Sequence, residues 1–364
     1  MVKVCWISNI PSPYKVHLMN LLSKDLELYI LFEKKGESDR EDSWYSFDFK
    51  DYYVEYLDTN SKEKIDKASE ICDVLINGDY SNKQCIYAVN KFKKQNKPVI
   101  MLADGGLAID RGFFNYIISY FMKKNDYFMS SGKEVNKYYK FYGVNKNRIY
   151  NYKFSSLTKN DIQKNKGLIK NKSLLKQKLN LKEDVILFSV GQQIPRKGYD
   201  LLVKAMIGVN KNVGLYIAGG EPEENVKDII KSNNLNNIYF VGFKTKEELD
   251  EYYAASDIFV LSTRYDIWGL VINEAMSFGL PIISSDKCVS AIEFNNLFNN
   301  ALITKNEDVN SISEAINTLI NDEFLREQLG RNSLKGIKEY TIEQTKEDFV
   351  RIINDIINKN KKRS

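Results

Sequence analysis

The feature that most constrains this chain is a repeated alternation of short apolar runs with longer amphipathic stretches. The first half carries apolar runs at Val2–Ser8, Leu26–Phe32, Tyr52–Leu57, Asp73–Asn77, Pro98–Ala103 and Asp126–Met129. Helical patterns lie between and after them at Tyr14–Ser23, Lys62–Ser69, Asn82–Lys94, Phe113–Lys123 and Lys133–Phe141. Several of the runs are apolar at nearly every position, as expected of parallel strands buried on both faces. Strands and helices alternating at this spacing predict βαβ units wound into a parallel sheet. The pattern breaks in the polar, Lys-rich stretch Ser155–Lys182 and then resumes. The second series has strands at Val185–Val190, Val213–Ala218, Ile238–Val241, Ile258–Leu261, Pro281–Ser284 and Ala301–Thr304. Two Rossmann-like α/β/α domains are therefore expected, over 1–160 and 161–340. The segment 341–364 is expected to be a helix that packs back towards the first domain.

Composition excludes several functions. Lys and Arg number 53 against 48 Asp and Glu, a dispersed net charge of +5 that disfavours nucleic-acid binding. One histidine and four cysteines without a Cys-x-x-Cys pair make a zinc site or a disulfide framework implausible. No apolar run is long enough to span a bilayer, and the opening MVKVCWISNIPSPY lacks the pattern of a signal peptide. A cytoplasmic chain is expected. No Gly-x-Gly-x-x-Gly follows a strand, which disfavours a dehydrogenase.

Two clusters are candidates for chemistry. The first, Gly191-Gln-Gln-Ile-Pro-Arg196-Lys197-Gly198, lies at the carboxyl end of a strand and opens a helix. Open α/β sheets bind ligands at such ends, and adjacent Arg and Lys beside helix amides suit a diphosphate. A solvated basic turn capping a helix would read the same way. The second cluster runs from Thr263 through Asp266, Trp268, Gly269 and Glu274 to Gly279 and Pro281. Asp266 stands at a helix mouth, where it could merely complement the helix dipole. Glu274 lies within the helix beside Ala275 and Met276, where an acid needs a partner.

From about residue 185 to 285 the chain resembles the donor domain of glycosyltransferase family four, retaining enzymes of the GT-B fold. The ordered matches are Arg196-Lys197-Gly198, Gly219-Gly220-Glu221-Pro222, Val241-Gly242-Phe243, and a Glu-x7-Glu signature present here as Asp266 and Glu274. The opening NIPSPYKVHLMNLL is similar to that of members building bacterial surface polysaccharides, such as capsules. The resemblance implies two domains facing across a cleft. It implies a nucleotide-diphosphate sugar as donor, with UDP the favoured nucleotide. Gly191, Gly219, Gly242, Phe243, Trp268, Gly269, Leu270 and Val271 would line the donor site, with Phe243 near the nucleobase. Arg196, Lys197 and the helix amides would stabilise charge growing on the departing diphosphate. On this reading Asp266 grips a sugar hydroxyl, Glu274 holds the ribose, and a donor phosphate oxygen takes the acceptor proton.

Two departures qualify the resemblance. Asp266 replaces the first Glu of the signature, one methylene shorter. Where many members carry a histidine after the fifth strand, this chain reads Met101-Leu-Ala-Asp104-Gly105-Gly106. Asp104, on a loop made narrow and mobile by Gly105 and Gly106, is the candidate substitute, and an ordinary Asp-Gly turn is the alternative. Pro13, Tyr14, His17, Gly105 and Gly106 are candidates on the acceptor side. With no Asp-x-Asp in the chain, no metal or other cofactor is expected.

The stretch Arg111–Lys124 is aromatic-rich and ends in two lysines, which suits an anionic membrane surface and an acceptor linked to a polyprenyl pyrophosphate. Taken alone, it reads better as a helix buried in its domain with solvated ends. The expected activity is a hexosyl transfer to a glycan hydroxyl. The rivals are a non-catalytic subunit that partners a transferase, and a nucleotide-sugar epimerase.

Overall fold

The computed structural model describes residues 1–36, 47–58, 60–210 and 212–362. The chain forms two compact units, one of Met1–Phe154 with Ile342–Ser364 and the other of Ser155–Thr341.

Among the described residues the first unit holds seven strands: β1 (Val2–Ser8), β2 (Leu26–Phe32), β3 (Tyr53–Tyr56), β4 (Val74–Asn77), β5 (Val99–Ala103), β6 (Tyr127–Ser130) and β7 (Ile149–Asn151). Their order is β3-β2-β1-β4-β5-β6-β7, and every pairing is parallel. β1 is central, and its last five residues are buried without a break. Parallel strands need crossover connections, and helices supply those after β1, β3, β4, β5 and β6. The core beneath one face gathers Ile7, Leu31, Ile65, Leu75, Ala88 and Phe92.

The C-terminal helix Ile342–Lys361 completes this unit. It buries Ile342, Thr345, Phe349, Ile352, Ile353, Ile356 and Ile357, a stripe at helical spacing. Phe349 lies against the rings of Trp6 and Tyr152, at 5.8 and 5.0 Å between centroids.

The described residues of the second unit form six strands: β8 (Val185–Val190), β9 (Val213–Ala218), β10 (Ile238–Phe240), β11 (Ile258–Leu261), β12 (Ile282–Ser285) and β13 (Ala301–Thr304). They order as β10-β9-β8-β11-β12-β13, again all parallel. Chain direction across the sheet reverses between β8 and β11. Such a switch point opens a crevice at the strands' carboxyl ends.

The polar stretch 155–182 contains two helices, Lys159–Ile169 and Lys172–Lys178. Thr158 accepts from the Asp161 amide at 2.9 Å, and Asp161 accepts from the Thr158 amide at 2.8 Å. This capping box satisfies two otherwise orphaned donors at the helix start.

The helix Phe114–Met122 corrects one expectation. It buries only Ile118 and Met122. Phe113 and Tyr116 are 74% and 76% exposed, and Phe114, Ile117 and Tyr120 are exposed beside them. Phe113, Tyr116, Ile117 and Tyr120 fall at i, i+3, i+4 and i+7, which gathers them on one outward face.

Candidate functional site

In the second unit the loops after β8 and β11 are stitched together at the switch point. The Arg264 amide donates to the Arg196 carbonyl at 2.8 Å, and the Thr263 hydroxyl to the same carbonyl at 2.9 Å. Ser262 donates to the Gly198 carbonyl at 2.9 Å. Gly198 must be glycine here, because a β-carbon would stand 2.3 Å from the Ser262 carbonyl oxygen. Arg264 is itself held by Asp200 through two bonds at 2.9 and 2.8 Å.

This stitching brings Arg196, Lys197 and Asp266 to one point. Lys197 Nζ lies 2.7 Å and Arg196 Nη1 3.4 Å from the same Asp266 oxygen. Arg196 also donates to the Tyr265 carbonyl at 3.1 Å, with its guanidinium 5.5 Å from the Tyr265 ring centroid. Lys197 and Asp266 are each 9% exposed. Two cations facing one carboxylate leave a surplus positive charge in a partly dehydrated place, where electrostatic attraction is stronger than in water. Gly191 lies under the Lys197 stem, and Gly219 packs against Gly191 so closely that a β-carbon there would stand 2.0 Å from its carbonyl oxygen.

The helix Leu270–Ser277 begins beside this cluster, with Gly269 in the left-handed region at φ 91°. A β-carbon on Gly269 would be 3.6 Å from the Asp266 carboxyl carbon. The first-turn amides, including those of Leu270 and Val271, have no partner within the helix. No acid occupies that turn.

Glu274, one turn further on, accepts from the Tyr253 hydroxyl at 3.0 Å. Burial pushes its carboxyl up to about 7, against the pull of the Tyr253 bond and of Lys246. Trp268 turns inward, 2% exposed, with its indole donating to Asn273 at 3.1 Å and its ring against Phe294. Its side chain belongs to the core, and its carbonyl accepts from the Ser290 amide at 3.1 Å and from the Ser290 hydroxyl at 2.5 Å. Gly242 precedes Phe243, whose ring is exposed beside Gly220.

In the first unit Tyr14 donates to Asp104, and Lys15 Nζ lies 3.8 Å from the same carboxylate. Burial, and then Asp104, push the Tyr14 phenol well above its ordinary value, so it stays a donor. Gly106 lies against Tyr138, whose ring would be 2.7 Å from an added β-carbon. The Asp104–Gly106 loop is therefore anchored at both ends, where the glycine pair suggested mobility. Pro13 opens the helix Pro13–Leu22, which also carries His17.

Sequence reasoning missed Tyr253, Lys15 and Arg264. A tyrosine in an amphipathic helix carries no signal of its partner. Arg264 lies inside the second cluster, but its role needs Asp200 placed opposite.

Residues 171–336 match the family model described as glycosyl transferases group 1. The chain is 28% identical over 163 residues to the capsular polysaccharide biosynthesis glycosyltransferase CapM of Staphylococcus aureus, covering 43% of this chain and 42% of that protein. It spans about half the length, or less, of the curated relatives it matches. Anabaena HepE in complex with UDP superposes with a TM-score of 0.77 at 14% identity, covering 98% of this chain and 100% of that one. A glycosyltransferase from Rickettsia africae gives 0.76 at 14% identity, covering 100% and 99%.

The fold is the GT-B fold of glycosyltransferases, with its candidate site on the second parallel sheet. Within it, residues 171–336 carry the match to the glycosyl transferases group 1 model.

Proposed function

We propose that this chain is a retaining glycosyltransferase. It moves a sugar from a UDP-sugar to a hydroxyl of a growing, lipid-linked surface glycan. The observation that carries the reading is the Arg196–Lys197–Asp266 cluster at the sheet's switch point, beside the first turn of Leu270–Ser277. A departing diphosphate gains negative charge, and two fixed cations with helix amides are arranged to stabilise it. That stabilisation is worth most in a site shielded from water, and it calls for no metal. UDP in a protein of the same fold supports the donor, and the matched capsular glycosyltransferase supports the acceptor class. Glu274 is assigned to the ribose, Asp266 to the transferred sugar, and Asp104 with Tyr14 to the acceptor.

The test is thermal stability against UDP, GDP, dTDP and ADP, for wild type and Arg196→Ala. Ligand at 100 times its dissociation constant stabilises by roughly 2.7 kcal/mol, a rise of several degrees. The expected result is a rise with UDP that Arg196→Ala lacks. No rise with any nucleotide overturns the reading and favours a non-catalytic partner subunit.

The acceptor's lipid places part of this chain at a bilayer. No described helix is long and apolar enough to cross one. The exposed face of Phe113, Phe114, Tyr116, Ile117 and Tyr120 is assigned to an anionic lipid surface instead. Arg111 and Lys123 flank it, and Lys124 stacks 4.8 Å from the Tyr120 ring centroid. Aromatic rings enter the interface while cations meet the headgroups. Wild type is expected to sediment with phosphatidylglycerol vesicles at low salt. Phe113→Ser/Phe114→Ser/Tyr116→Ser should bind at least about tenfold more weakly, since each aromatic contributes roughly 1.5–3 kcal/mol when fully buried. Wild type remaining in the supernatant overturns the assignment.

A further inference from the structure

Gln193 poses a problem that the cluster around Asp266 does not solve. Its side-chain amide is buried, and neither its oxygen nor its nitrogen has a hydrogen-bond partner among the described residues. An unpartnered buried polar atom costs roughly 1–3 kcal/mol, and here two occur on one side chain. Leucine would fill similar space without that cost. Nothing in the fold requires an amide at this position.

The surroundings indicate what the amide serves. Gln193 lies in the loop leaving β8, where the Gly191 amide is fixed to the Ala218 carbonyl at 3.0 Å. A β-carbon on Gly220 would stand 3.8 Å from Gln193 Cγ and 3.2 Å from the Phe243 ring. Gln193, Gly220 and Phe243 thus meet around one spot at the carboxyl ends of β8, β9 and β10. Gly220 keeps that spot open. The Phe243 ring is 66% exposed, a large apolar plane left in solvent. An exposed aromatic plane beside an unpaired donor–acceptor group suits a flat heterocycle that stacks and hydrogen-bonds at its edge.

We propose that Gln193 reads the nucleobase of the donor, pairing its carboxamide with the base edge while Phe243 stacks on the face. This rests on the nucleotide-sugar reading above and extends it to the residue that selects the base. A carboxamide offers one acceptor and one N–H donor side by side. The matching edge is the N–H and carbonyl of a lactam, present in uracil, thymine and guanine. The two unpaired atoms in the free protein are the cost of a preformed site, recovered when the base binds.

The test separates this role from a structural one by measuring two quantities that should move in opposite directions. Titration calorimetry is run with UDP, dTDP, GDP, CDP and ADP, and with inorganic pyrophosphate, on wild type and Gln193→Leu. Thermal midpoints are taken without ligand. Wild type is expected to bind a lactam nucleotide. Gln193→Leu should bind it about ten- to hundred-fold more weakly, with pyrophosphate binding unchanged and a midpoint equal to or above wild type. Equal nucleotide affinity in the variant overturns the proposal, as does a lowered midpoint with affinity intact. Wild type preferring CDP or ADP overturns the lactam assignment. Wild type binding no nucleotide overturns the donor reading itself, a result distinct from all of these. Gln193→Met provides a second apolar replacement should Gln193→Leu fail to fold.

Discussion

Lys197→Met should abolish nucleotide binding and destabilise the second unit together. The Lys197 ammonium lies 2.7 Å from Asp266, with both residues nearly out of solvent. Without it the carboxylate keeps only the more distant contact to Arg196, at 3.4 Å. Removing one member of a buried pair costs about 3–5 kcal/mol, because the remaining charge stays desolvated. The remaining Arg196 places the expected loss at the lower end, about 3 kcal/mol by chemical denaturation. Transfer should fall by about 10²–10³, the scale seen when one donor to developing negative charge is removed. A double variant separates the two effects. Lys197→Met/Asp266→Asn should recover most of the stability, since the unpaired charge is gone. It should recover none of the nucleotide affinity. Recovery of both would show that Lys197 acts only as a structural partner of Asp266.

Glu274→Gln should change how stability depends on pH. The Glu274 carboxyl is raised by burial from an ordinary 4.5 to about 7. Between those values the native state holds a proton that the unfolded chain has lost. Stability contributed at this site is therefore full below about 4.5, falls as pH rises to about 7, and is level above. Glutamine is neutral throughout. The variant should match wild type near pH 4.5 and gain on it with rising pH, by up to about 3 kcal/mol at roughly 1.4 kcal/mol per unit. Tyr253 and Lys246 favour the carboxylate, while Asp250 and Asp161 oppose it. Tyr253→Phe should accordingly push the Glu274 carboxyl higher and move the pH at which transfer changes upward. If Glu274 grips the ribose, Glu274→Gln loses affinity for UDP while folding normally. A stability curve parallel to wild type from pH 4.5 to 8 would refute the assigned proton.

The sheets were legible because buried parallel strands are written as continuous apolar runs. β1, β2, β8, β9, β11 and β13 occupy the spans that the runs mark. β7 was not legible, since three residues at a sheet edge, Ile149–Asn151, leave too little pattern. The helix at Lys159–Ile169 had a readable start in Thr158-Lys-Asn-Asp161, but its polar composition concealed it. At the site, charge and glycine spacing singled out Arg196, Lys197, Asp266 and Gly269. What those residues touch was not readable. The meeting of Lys197 with Asp266 depends on β8 and β11 being neighbours, although 69 residues separate the pair. Trp268 shows the converse. The resemblance gave it as lining the donor site, whereas Asn273 and Phe294 draw its side chain inward. For the helix after Phe113, aromatic content alone could not distinguish a buried face from an exposed one.

The C-terminal helix Ile342–Lys361 sets an order on the birth of this protein. Its apolar stripe fills the first unit, yet it is translated only after the whole of the second unit. During synthesis the sheet of β1 to β7 must wait, with the seat for Phe349 and Ile353 unfilled, while the entire second unit is translated. Synthesis at roughly 5–20 residues per second makes that wait tens of seconds. The second unit is one uninterrupted stretch and can close as soon as Thr341 emerges. The usual vectorial rule, in which the amino-terminal domain matures first, is thus reversed here. A nascent chain stalled before Ile342 presents an open apolar groove, the kind of surface that chaperones hold.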